Sequence, residues 1–325
     1  MPRFARFAWG LLAYDVAVVA WGAFVRATGS GAGCGRHWPT CNGDIVPHAP
    51  RIETLIEVSH RLSSGTAFVL TAVLLVWALR AYPKGHRIRG SAAVAMALMA
   101  GEALIGAGLV LFELVAHNAS MTRALSMSVH LVSTFLLLAS MTLTAWWASG
   151  GRALDPRGQR ATGLTVAVPL AGMLVVGASG AVTALGDTLF PSASVAAGLA
   201  QDFAPGAHLF VKLRAVHPVL AIATAAAIVV ASTVVRALRP THAVEVASRA
   251  AAGLAVAQVC AGVLDVALRA PVWMQLVHLV LADCVWIALV LTAATCLARP
   301  STQASLGEVA KPRGRQEIEG AGSGL

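Results

Sequence analysis

Eight long apolar runs constrain this chain more than any other feature of it. They cover roughly 8–26, 61–80, 91–113, 124–148, 163–184, 213–236, 248–268 and 274–297. An α-helix needs about 20 residues to cross the ~30 Å hydrocarbon layer of a bilayer, and each run has about that length. Only 12% of the 325 residues are charged, where a soluble domain carries about 25%. Lipid gives an open backbone amide no partner, so the runs must be helices. The sequence therefore reads as an all-α polytopic membrane protein with eight transmembrane helices.

The formal net charge of +9 does not point to nucleic acid, because of where it sits. With the N-terminus in the cytoplasm, most Lys and Arg fall in inner segments, among them Arg3, Arg6, Lys84, Arg87, Arg152, Arg157, Arg236 and Arg239. That bias predicts both termini cytoplasmic in a multi-pass membrane protein. The first run follows Arg3 and Arg6 as a secretory signal would. It ends in VRATGSG without a clear cleavage site, so it reads as a retained helix.

The chain repeats itself. Residues 125–148 (LSMSVHLVSTFLLLASMTLTAWWA) resemble 273–296 (WMQLVHLVLADCVWIALVLTAATC), and EVSHR near the second run faces RAVHP near the sixth. Duplicated halves are common in membrane folds. The reading is two pseudo-symmetric four-helix bundles. Residues 1–148 form the first, with a long outer loop over 27–60. A cytoplasmic linker, 149–162, leads to the second bundle at 163–299. Residues 300–325 read as a disordered cytoplasmic tail.

Within ETLIEVSHRLSSG, Glu57 precedes His60 by three residues, which on a helix stacks both on one face. His130, His217 and His278 recur near the starts of the other even-numbered helices. All four therefore share one depth, toward the outer leaflet. A lone helical histidine is more often a packing residue. Four at one depth, where polar groups are expensive, point instead to pairs ligating heme iron from facing helices. Zinc or copper fits less well, since the second half brings neither Cys nor carboxylate beside its pair. The remaining histidines, His37, His48, His86, His117, His208 and His242, read as solvated loop residues.

Cys34 and Cys41 lie in the outer loop on the oxidising side. A structural disulfide is the favoured reading, and a redox-active pair beside the site is the other. Arg26, Arg61, Lys212 and Arg214 sit at outer helix boundaries. Snorkelling accounts for each, and pairing with heme propionates accounts for them equally well. Asp15, Glu102, Asp265 and Asp283 fall inside apolar runs and receive no role. The halves differ where it matters: Glu57 stands three residues before His60, whereas Arg214 stands three before His217. Two imidazoles alone pass electrons, while an added carboxylate can move protons or stabilise a developing cation. Chemistry is therefore expected in the first half and electron transfer in the second.

The segments GAFVRATGSGAGCGRHWPTCNG, EVSHRLSSG, SVHLVSTF, RAVHP and QVCAGVLDVALRAPVWMQLVHL together resemble the heme A synthase family of cytochrome oxidase assembly proteins, over residues 10 to about 297. The resemblance implies oxidation of a methyl group of heme O to the formyl group of heme A through an alcohol. It implies a resident heme b held by His217 and His278. His60 and His130 would hold the substrate heme, with Glu57 as the catalytic carboxylate. Cys34 and Cys41 would match the loop cysteines of bacterial members. Heme O synthase and an electron acceptor or donor follow as partners, with the lipid bilayer around the whole. A non-catalytic transmembrane cytochrome b and a heme chaperone are the rival classes.

Overall fold

A computed structural model describes residues 1–45, 47–48 and 50–299. The expected tail over 300–325 lies outside the described residues. Ten α-helices follow one another: α1 (Arg3–Ala27), α2 (Ile52–Ala81), α3 (Arg87–Leu111), α4 (Met121–Ala148), α5 (Arg160–Leu189), α6 (Val195–Asp202), α7 (Leu209–Arg214), α8 (Val216–Leu238), α9 (His242–Ala267) and α10 (Val272–Cys296). No named strand occurs among the described residues. Eight spans are long and apolar enough to cross a membrane, one of them made of α7 and α8 together. The protein is thus all-helical and polytopic.

Local chemistry explains several ends. Ser120 and Thr241 cap α4 and α9 by accepting the backbone N–H of Arg123 and Val244, as hydroxyl residues do at helix starts. The sixth span breaks at Ala215, between α7 and α8, because Pro218 follows. Its ring nitrogen offers no proton to the carbonyl of Arg214 and crowds it. The matching position in α2 is Arg61, and α2 runs on without a break.

The helices extend beyond the apolar runs, and this shifts three expected boundaries. α2 begins at Ile52, so the first connection covers 28–51 rather than 27–60. The linker likewise ends before Arg160 rather than at 162, and the fifth run, expected over 163–184, becomes a helix that continues to Leu189. Apolar runs mark only what lipid touches. Backbone hydrogen bonding continues past them wherever polar side chains such as Glu53, Glu57 and Arg61 find partners in a loop. At ~1.5 Å per residue, the 30 residues of α2 span ~45 Å, more than the ~30 Å hydrocarbon layer.

Each half closes on itself. In the first, α1 touches α2, α2 touches α3, α3 touches α4, and α4 returns to α1. In the second, α5 touches α8, α8 touches α9, α9 touches α10, and α10 returns to α5. This shared cyclic order is consistent with the repeat in the sequence. The halves meet where α4 packs on α5 and α10, and where α1 packs on α10. Phe135 and Trp286 stack across that seam with ring centroids 5.2 Å apart, and the indole N–H donates to the Phe135 carbonyl. Both are buried. Gly177 of α5 lets the Phe135 ring approach: a Cβ there would lie 2.8 Å from Phe135 Cε2. Elsewhere Leu62, Leu104, Val129, Val168, Val219 and Val263 face outward, as lipid-exposed positions should.

Phe135→Ala removes the ring that joins α4, α5 and α10, and large-to-small core changes of this kind cost about 3–5 kcal/mol. Unfolding of the detergent-solubilised variant should show a loss in that range. A variant as stable as the parent would mean that the seam does not depend on this ring.

Candidate functional site

The first turns of α2 carry the loop 28–51 on their surface. Gly33 makes the contact possible, since a Cβ there would lie 2.5 Å from the Glu53 carbonyl oxygen. The Thr54 hydroxyl donates to the Gly33 carbonyl at 2.8 Å. Cys34 and Cys41 are joined in a disulfide, as the favoured reading of the sequence had it, and both are buried.

Glu57, only 3% exposed, is the junction between loop and helix. Its Oε2 accepts the Cys34 backbone N–H at 2.8 Å, and its Oε1 accepts from Arg61 Nη2. Arg61 continues the chain of contacts by donating from Nη1 to the carbonyls of His37 at 2.8 Å and Thr40 at 2.6 Å. The same helical face presents His60 one turn on from Glu57.

His217 is the second residue of α8, as expected, while the other three stand six to nine residues past the start of their helices because those begin earlier: His60 after Ile52, His130 after Met121 and His278 after Val272. That is about 9–14 Å along the axis. His60 on α2 and His130 on α4 stand on opposite members of the first ring of helices, as His217 on α8 and His278 on α10 do in the second.

Three of the four rest against a glycine of the helix before them. A Cβ on Gly22 would lie 2.9 Å from His60 Cε1, one on Gly180 3.0 Å from His217 Cε1, and one on Gly262 3.1 Å from His278 Cε1. The imidazoles thus occupy space that any side chain would fill. Their ring nitrogens are differently served. His60 Nδ1, His130 Nδ1 and His278 Nδ1 are buried without a hydrogen-bond partner among the described residues. His217 Nδ1 lies 3.0 Å from Ser179 Oγ, and His278 Nε2 lies 3.2 Å from Gln258 Nε2. His130 Nδ1 lies 2.9 Å from Glu102 Oε2. Orphaned imidazole nitrogens beside glycine walls fit ligands of a planar metal cofactor such as heme. Among the described residues no group of three or more His, Cys, Asp or Glu gathers for a bare metal ion.

The cations fare unevenly against expectation. Arg61 turns inward to the loop, and Arg214 is buried, holding Asp187 at 3.2 Å and Asp202 at 2.7 Å. Neither snorkels. Arg26 reaches from α1 into the second half, donating to the Ala184 carbonyl, Thr188 and Gln275, each at 2.8 Å. Lys212 is exposed and donates to the Pro205 carbonyl at 2.9 Å. Of the loop histidines, His86 and His208 cap α3 and α7. Sequence reasoning left Glu102, Ser179 and Gln258 without a role, because one polar residue within an apolar run gives no sign of which helix it faces.

Known proteins bear on these observations. Over 306 residues the chain is 50% identical to a protein of Thermus thermophilus named protoheme IX farnesyltransferase, and the match takes 94% of this chain and 50% of that one. A counterpart from a second strain is 49% identical over the same share of both. The chain therefore spans about half the length of these relatives. The heme A synthase of Bacillus mycoides is 38% identical over 113 residues, 34% of this chain and 36% of that protein. A family model described as cytochrome oxidase assembly protein matches residues 5–290. Nearly the whole described chain falls within that match, and the protein belongs to the heme A synthase family of cytochrome oxidase assembly proteins.

Proposed function

We propose that this protein is a heme A synthase, oxidising a methyl group of heme O to the formyl group of heme A through an alcohol. The observation that supports the reading is the placement of His60 and His130 on opposite helices of the first ring and of His217 and His278 on opposite helices of the second, with Glu57 one turn from His60 and Glu102 2.9 Å from His130. The substrate heme enters the first half from lipid, and His60 and His130 hold its iron. A heme b between His217 and His278 would supply one-electron transfer. Glu57 places negative charge one turn from His60, suited to accept a proton or to stabilise positive charge as the substrate carbon is oxidised. The loop 28–51, fixed by Glu57 and Arg61, covers this end and limits water. Any propionate contact from Arg26, Arg61, Lys212 or Arg214 has to share donors with the protein acceptors these cations already hold. The protein works in a bacterial cell membrane with both termini cytoplasmic, beside a heme O synthase and an electron partner.

Farnesyl transfer is the second reading, since the Thermus relatives carry that name. Half of each relative lies beyond the match. Transfer from a prenyl diphosphate calls for carboxylates that hold a divalent cation. Here Asp187 and Asp202 are both engaged by Arg214. A two-part relative, oxidising in the matched half and transferring the farnesyl group in the other, reconciles the names. A simple cytochrome b has no use for Glu57 or a covering loop.

Cells that make heme O and express this chain should yield heme A on chromatography of extracted hemes. Heme O left unconverted alongside a normally folded protein would end the proposal. Glu57→Ala should retain the heme b absorbance while slowing conversion about 10²-fold or more, the usual scale for acid–base groups; undiminished conversion would remove Glu57 from the mechanism. Arg61→Ala frees the His37 and Thr40 carbonyls, so limited proteolysis should cut within 28–51 faster than in the parent. An unchanged cleavage rate would show that the loop is held by other contacts.

A further inference from the structure

Resting on the heme-binding reading above, we propose that Glu102 is a positioning residue for His130. Its carboxylate stands against Nδ1, placed to take that nitrogen's proton when Nε2 binds the substrate iron, and gives the first-half ligand a different electronic character from its second-half counterparts. Glu102 lies on α3, in the middle of a membrane span, where an ionisable side chain is expensive. Its Oε2 accepts the Thr134 hydroxyl at 2.7 Å, one turn further along α4, and lies 2.9 Å from His130 Nδ1, which makes no hydrogen bond among the described residues. Its Oε1 is buried without a partner, and no Lys or Arg pairs with it among the described residues. A carboxylate placed so, with no cation to neutralise it, is aimed at the imidazole.

The repeat makes the point sharper. Glu102 precedes Gly106 by four residues on the helix before α4, and Gln258 precedes Gly262 by four on the helix before α10. Gln258 also reaches the histidine of the following helix, His278, at 3.2 Å. The two halves thus bring a side chain of the same length to matching histidines, a carboxylate at Nδ1 of His130 and an amide at Nε2 of His278. The glycine walls differ in step. Gly262 abuts His278, whereas nothing stands within 4 Å of a Cβ on Gly106, so His130 is held by Glu102 where its counterpart is held by close packing. A carboxylate accepting the second ring proton raises the basicity of a ligating imidazole and fixes its orientation. Ligand hydrogen bonding of this kind tunes the reduction potential of a heme, and it favours the ferric state. An amide carries no charge to do so.

The test is a potentiometric titration of the full-length holoprotein, followed by its heme absorbance, in Glu102→Gln, Glu102→Asp and Gln258→Glu. His60→Ala identifies the first-half step by its loss. Glu102→Gln should shift the first-half midpoint to more positive potential and leave the second-half midpoint in place, and Glu102→Asp should restore it in part. Gln258→Glu should shift the second-half midpoint to more negative potential. A Glu102→Gln protein that keeps both hemes at unchanged midpoints reduces Glu102 to a tie between α3 and α4 through Thr134, and overturns the proposal. Should that variant fail to fold, an unmoved second-half midpoint in Gln258→Glu overturns it instead. If the unaltered protein shows a second-half heme and never a first-half one, the heme-binding reading of the first half itself falls, and this proposal with it.

Discussion

Inside a lipid-embedded bundle an imidazole has no water to fall back on. Each of its nitrogens must meet a protein atom, a metal or nothing, and the last is costly. The architecture around the four helical histidines follows from that constraint. Gly22, Gly180 and Gly262 remove side chains where rings must lie. Ser179 and Gln258 each lie within hydrogen-bond distance of a ring nitrogen, and Glu102 brings a carboxylate oxygen to 2.9 Å from another. The nitrogens left over are those that a cofactor iron would take. In membranes small residues let helices approach closely; here they also make room for side chains whose purpose is not packing.

The repeat supplies the frame and its departures supply the differences between halves. At the position after the histidine, the first half has Arg61 and the second has Pro218. Arg61 keeps α2 continuous and ties down a disulfide-closed loop. Pro218 breaks the sixth span and leaves α7 as a short separate piece. Three residues before the histidine, Glu57 faces the loop, while Arg214 gathers Asp187 and Asp202. So the polar clusters at this end are built from opposite charges at equivalent places. In the first half Glu57 is paired with Arg61 beside the histidine, and in the second one guanidinium is shared by two carboxylates.

Arg26 and the Phe135–Trp286 stack give the two rings a common body. The guanidinium of Arg26 leaves the first half and donates to three acceptors of the second. A seam built from stacked rings and a guanidinium shared across it holds the two rings at a fixed separation.

Much was legible from residues alone, since lipid imposes its terms on composition. Eight apolar runs of spanning length leave helices as the sole outcome, and the recurrence of Val-His-Leu-Val marks both the duplication and the residues that matter. The disulfide was legible as well, from two cysteines seven apart in an oxidising loop. Helix ends were not: α2 starts nine residues before its apolar run because hydrogen bonds to a loop, rather than contact with lipid, decide where it begins. Nor were the partners of the histidines. Glu102, Ser179 and Gln258 sit in runs of Ala, Val, Leu and Gly where periodicity is weak, and only the packing of α3 on α4, α5 on α8 and α9 on α10 says which side faces a ring. Sequence alone determined the solvent, the helices, the repeat and the candidate ligands, because each depends on residue type and spacing along one chain. Tertiary structure alone decided which polar atom meets which imidazole, because that depends on the rotation of one helix against its neighbour.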